Sequence, residues 1–125
     1  MIKTAEKPIK DISAPPLVPS VIDFTHLGRM TLGEKSLEAE VLALFDRQAD
    51  MLLARMEQAA PAAAAAFAHT IKGSARGIGA WLVAEAAEAV ERAASEPADL
   101  TDAIARLAGA IGEARATIAE MLAAR

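Results

Sequence analysis

The stretch from Leu100 to Leu122, LTDAIARLAGAIGEARATIAEML, carries Leu100, Ile104, Leu107, Ile111, Ala114, Ile118 and Leu122 at spacings of 4, 3, 4, 3, 4 and 4. A helix turns by about 100° per residue, so these positions form one apolar stripe, and a stripe that long needs a partner surface. Upstream, Ser95-Glu96-Pro97 punctuates the chain with a proline suited to the first turn of a helix. Before it, a helix from about Gly79 is expected to face the core with Leu82, Ala86, Ala89, Val90 and Ala93. Another is expected from Pro61 to near Gly77.

A long helix precedes that one, its stripe read as Leu37, Val41, Leu44, Phe45, Met51 or Leu52, and Met56. It should stop at Ala59-Ala60-Pro61, because the residue before a proline is pushed out of the α region. Thr31 and Glu34 have the spacing of a capping box for its start. Asp23 can cap a short helix through Leu27 and Met30. Nothing alternates with period two for long enough to be a strand. The expectation is all-α: an antiparallel up-down four-helix bundle over residues 21–125, with a short extra N-terminal helix covering one end. Residues 1–20 hold Pro8, Pro15, Pro16 and Pro19 and read as an extended arm whose path is open.

Composition narrows the function. The 125 residues are 54% hydrophobic but only 3% aromatic, so Ala, Leu, Ile, Val and Met must build the core. With no Cys there is no disulfide, thiolate nucleophile or Cys-based metal site. A net charge of −4 gives no basic footprint for nucleic acid. No apolar run reaches the ~18 residues a membrane span needs, and no signal-peptide core opens the chain. A cytoplasmic setting without membrane insertion is expected.

Chemistry concentrates around one of the two histidines. His26 reads as a polar surface or capping residue. His69 lies opposite Phe67, Ile71 and Ile78, the large apolar residues of its helix, and so belongs at the middle of the solvent face. Around it on that face are Ala62, Ala65, Ala66, Lys72, Gly73 and Arg76, mostly small, which leaves an imidazole open to a large partner. Glycine inside a helix costs about 0.5–1 kcal/mol relative to alanine. Gly73 therefore reflects close approach by another protein, a helix crossing, or simple tolerance, since Gly77, Gly79, Gly109 and Gly112 also occur. Lys72, one turn from His69, could hold a phosphoryl group on the ring and disfavour its protonation, which suits a neutral nucleophilic nitrogen.

The run His69-Thr70-Ile71-Lys72-Gly73-Ser74-Ala75, then Ile78-Gly79 and Leu82, resembles the histidine phosphotransfer (HPt) domains of multistep two-component phosphorelays. Their pattern is H-x-[LI]-K-G-[SA]-[SA], followed by an apolar-Gly pair and an apolar position. The close match spans residues 67–82, with a weaker one over about 21–60. The resemblance implies a phosphocarrier in which His69 accepts a phosphoryl group through Nε2 from an aspartate of one response-regulator receiver domain and hands it to another. It implies a (hybrid) sensor histidine kinase upstream and Mg²⁺ on the receiver, with no cofactor or metal on this chain. Lys72 would steady the phosphoryl group, and Ala62, Ala65, Ala66, Gly73 and Arg76 would form the docking face. Such a protein is a phosphotransfer intermediate rather than an autonomous enzyme. The phosphoacceptor domains of sensor kinases resemble H-E-x-[RK]-x-P instead; here Thr70 follows the histidine and no proline closes the run, so autokinase activity is not expected. The alternative is a helical interaction module that is never phosphorylated.

Overall fold

The computed structural model describes residues 21–124; the N-terminal arm proposed for residues 1–20 lies outside them. Five helices follow in order: α1 (Phe24–Met30), α2 (Lys35–Glu57), α3 (Pro61–Ile78), α4 (Trp81–Ala93) and α5 (Pro97–Ala123). No strand occurs among the described residues, as the periodicity predicts. α2 packs against α3 and α5, α4 packs against the same two helices, and α1 lies on α3.

Asp23 starts α1, its Oδ1 accepting the His26 backbone N–H at 3.0 Å. Thr31 ends that helix instead of opening the next. It is buried, and its hydroxyl donates to the Leu27 carbonyl at 2.9 Å. Leu32 and Gly33 then take left-handed φ values of 55° and 75°, and this break prevents Thr31 from capping α2. Glu34 occupies the cap position without a side-chain bond to the helix.

On α2 the buried face is Glu38, Leu42, Phe45, Ala49, Leu52 and Met56. Three residues of the expected stripe, Leu37, Leu44 and Met51, are exposed. They sit seven apart on a line about 100° away from the buried face. Glu38 can take an interior place because the Thr31 hydroxyl lies 3.4 Å and the Lys35 ammonium 3.6 Å from its carboxylate. The α2–α3 junction is as expected: Ala60 is extended and Pro61 takes the first turn of α3. Arg115 fastens α5 to α2 through Asp46 at 2.8 Å and Asp50 at 2.9 Å. The hydrogen bond that Arg115 donates to Asp46 raises the Arg115 pKa further above its ordinary value.

α4 is rotated relative to the expected stripe. Val83, Ala84, Ala87 and Val90 are buried, whereas Leu82, Ala86, Ala89 and Ala93 are partly exposed. Leu82, Ala86 and Ala89 lie instead along the seam with Arg106 and Ala110 of α5. The α5 stripe holds, with Leu100, Leu107, Ile111, Ala114 and Ile118 buried, Ile104 and Leu122 partly so, and Ala103 joining them.

Gly79 closes α3 at φ 78°, and its carbonyl accepts the Asp23 N–H at 2.9 Å. A Cβ there would stand 2.8 Å from the Asp23 carbonyl oxygen and 2.9 Å from its Cβ. Gly79→Ala should therefore lower stability by at least the about 1–3 kcal/mol of a strained backbone site. A urea titration showing no loss in midpoint would contradict this contact.

Candidate functional site

α3 buries Ala64, Ala68, Ile71, Ala75 and Ile78. Phe67 was expected beside them but is only half-buried. It lies seven residues from Ser74, whose hydroxyl donates to Gln48 Oε1 of α2 at 2.7 Å, so Phe67 belongs to the flank facing α2. Opposite the buried stripe stands His69, with 71% of its side chain open to solvent. Ala62, Ala66, Gly73 and Arg76 are exposed on this helix and Ala65 is partly so. A Cβ on Gly73 would meet nothing within 4 Å, so packing inside this chain does not require a glycine there.

Lys72 departs from the expected position. Its side chain is only 14% exposed and reaches Glu91 Oε1 on α4 at 2.6 Å. The other oxygen of that carboxylate, Oε2, lies 2.9 Å from His69 Nδ1. Glu91 thus bridges the two residues of the motif from a neighbouring helix. Its Oε1 is buried and finds the Lys72 ammonium and no other partner among the described residues. The Lys72 hydrogen bond, with a smaller one from His69, holds the Glu91 carboxyl below its ordinary pKa despite the opposing effect of burial. Glu91 is therefore a carboxylate at neutral pH and can only accept hydrogen bonds. In a neutral ring, a hydrogen bond to this carboxylate requires the proton on Nδ1 and leaves the Nε2 lone pair free.

Sequence reasoning did not find Glu91. Acids recur on α4 at Glu85, Glu88 and Glu91. Only the packing of α4 against α3 selects the last of them.

His26 is also more than a surface residue. Its Nε2 donates to the Arg76 carbonyl at 2.9 Å, and its ring packs on Trp81 at 4.8 Å between centroids. Trp81 Nε1 in turn donates to Asp23 Oδ2 at 3.0 Å, a bond that leads the lowering of the Asp23 pKa. This clasp ties α1 to the end of α3 and the start of α4. Among the described residues no group of three His, Cys, Asp or Glu side chains could hold a metal ion. No described helix is long and apolar enough to cross a membrane.

A family model, the Hpt domain, matches residues 40–124, which contain His69, Lys72 and Glu91. The chain belongs to the Hpt domain family. As an Hpt domain it is a histidine-containing phosphotransfer module, a class whose members interact with receiver and kinase domains. No match was found among curated proteins or among solved structures. The family match starts inside α2, so α1 lies outside it together with Asp23 and His26 of the clasp, whereas Arg76 and Trp81 lie within it.

Proposed function

We propose that this Hpt domain is a phosphorelay phosphocarrier, taking a phosphoryl group on His69 Nε2 and passing it to or from aspartates of response-regulator receiver domains. The observation that carries this reading is the exposed ring whose Nδ1 is engaged by Glu91, leaving Nε2 as the available nucleophile. In the step proposed, the Nε2 lone pair forms the P–N bond. The P–O bond to the receiver aspartate breaks, and its electron pair leaves with the carboxylate. Positioning and charge stabilisation dominate phosphoryl transfer, so a receiver bringing Mg²⁺ can leave this chain the nucleophile and the docking surface. A hybrid sensor kinase upstream and a cytoplasmic setting complete the proposal. The ring of neighbours α2–α3–α4–α5 supports an antiparallel up-down bundle as the scaffold.

The docking face would be Ala62, Ala65, Ala66, Gly73 and Arg76 around the ring. Leu44 and Met51 extend it: both are exposed, on the side of α2 that carries Gln48 towards α3. The test is incubation with a phosphorylated receiver domain, followed by assay of acid-labile phosphate on the Hpt domain. Receiver binding without any transfer would favour the interaction module instead.

Gly73 separates docking from folding. Gly73→Ala should be neutral or stabilising by up to about 1 kcal/mol, since the site is helical and the space is open. Gly73→Gln should keep the fold and slow transfer by obstructing the partner. Equal transfer rates for wild type and Gly73→Gln would remove the close-approach role.

A further inference from the structure

We infer that the segment Pro15-Pro16-Leu17-Val18-Pro19 of this chain docks in an apolar groove between α1, α2 and the end of α3, with Leu17 and Val18 as its anchors. The inference does not depend on the phosphocarrier reading.

The groove is lined by Leu27 and Met30 of α1, Leu37 and Val41 of α2, and Gly77 and Ile78 of α3, and has a volume of about 210 Å³. An apolar cavity of about 150 Å³ holds a benzene-sized group, so there is room here for a branched aliphatic side chain. Met30 is 57% and Leu37 36% exposed, an unusual state for large apolar residues on the wall of one groove. The hydroxyl on that wall, from Thr31, already donates to the Leu27 carbonyl at 2.9 Å. The groove therefore suits an apolar occupant rather than a hydrogen-bonding one.

The chain enters the bundle beside this groove. Ile22 is buried, and the Asp23 N–H bonds the carbonyl of Gly79, the residue after Ile78. From there α1 runs seven residues to Met30, about 10 Å. The four residues from Val21 back to Leu17 span about 12–13 Å in a polyproline or extended course, so a chain that turns back along α1 brings Leu17 and Val18 to Met30. Three of the five docking residues are prolines. They have no N–H to strand against an apolar wall, and their fixed φ reduces the entropy lost on docking. The arm also carries Lys3, Lys7 and Lys10 against Glu6 and Asp11, a net charge opposite to that of the rest of the chain.

Size argues against a second copy as the occupant. A stable interface between separate chains buries about 1,200–2,000 Å², more than one groove of this volume offers. A tethered segment meets the groove at an effective concentration near the millimolar range, where a small contact is enough.

The test uses the full chain. It has no Cys, so Ser13→Cys gives a single thiol for a nitroxide spin label, read out on the methionine methyl groups by NMR. Met30 lies in the groove, whereas Met51 is exposed two heptads beyond Leu37 on α2 and serves as the reference. The oxidised label should remove most of the Met30 signal and spare Met51, and an excess of unlabelled wild type should leave this difference unchanged. Adding Leu17→Asp and Val18→Asp should restore the Met30 signal, with an unchanged thermal melt as the control for folding. Equal broadening of Met30 and Met51, or broadening of Met30 that survives the two Asp substitutions, would overturn the inference. Loss of the effect on dilution with wild type would give the groove to a second copy. A Met30 resonance that ignores the label and moves only when a receiver domain is added would give it to that partner, and either result would equally overturn docking of the arm.

Discussion

His69→Gln is expected to give a folded bundle that accepts no phosphoryl group. The side chain is largely in water, so its replacement removes little buried area, and surface changes of this kind usually stay within about 0.5 kcal/mol. Glutamine can still offer an N–H to Glu91, which leaves the α3–α4 contact intact. It cannot offer a ring nitrogen lone pair to phosphorus. Acid-labile phosphate should therefore fall to background while the thermal melt hardly moves. The second histidine makes the test sharp. Its Nε2 is occupied by the Arg76 carbonyl and its ring is packed on Trp81. Phosphate surviving in His69→Gln would move the acceptor to another residue and sink the assignment.

The parts of this chain legible in sequence are those where residue size marks one face. α5 alternates Leu and Ile with small or charged residues, and its stripe is buried as read. Ile71 and Ile78 similarly fix the orientation of α3 and put His69 outside. Where apolar residues surround a helix, size stops discriminating. α2 carries Leu or Met on two lines, and the line Leu37, Leu44, Met51 stays exposed while Leu42, Phe45, Leu52 and Met56 are buried. α4 is alanine-rich, and its buried face follows the two valines seven residues apart rather than Leu82. Thr31 looked like the start of a helix because capping boxes are local patterns, whereas the left-handed turn at Leu32 and Gly33 is what decides its role. Glu91 shows the same limit at the site. A bond between residues 22 apart depends on how two helices register, and no spacing within either helix encodes it.

Lys72→Ala should cost stability as well as transfer rate, which an ammonium standing free in solvent would not do. The substitution leaves Glu91 Oε1 buried without its partner, a loss of about 1–3 kcal/mol for a stranded polar group. It also removes the leading cause of the lowered Glu91 pKa. The sign follows from the direction of that shift. A carboxyl with a depressed folded-state pKa contributes stability above its ordinary value and loses it as pH falls through the folded value. Wild type and Lys72→Ala should accordingly differ most at neutral pH and converge in acid, which chemical denaturation at several pH values would show. For transfer, losing one charge-stabilising donor costs about 10²–10³ in a closed site, and an open face with charge supplied by the partner reduces this to roughly tenfold to a hundredfold. Because the Lys72 side chain is only 14% exposed, salt should alter that loss little. Glu91→Gln weakens the same bridge from its other end, so the double variant should lose less than the sum of the two singles in a double-mutant cycle. Strict additivity would mean that Lys72 acts on the phosphoryl group directly. An inactive Lys72→Ala that stays folded and still binds the receiver would point the same way.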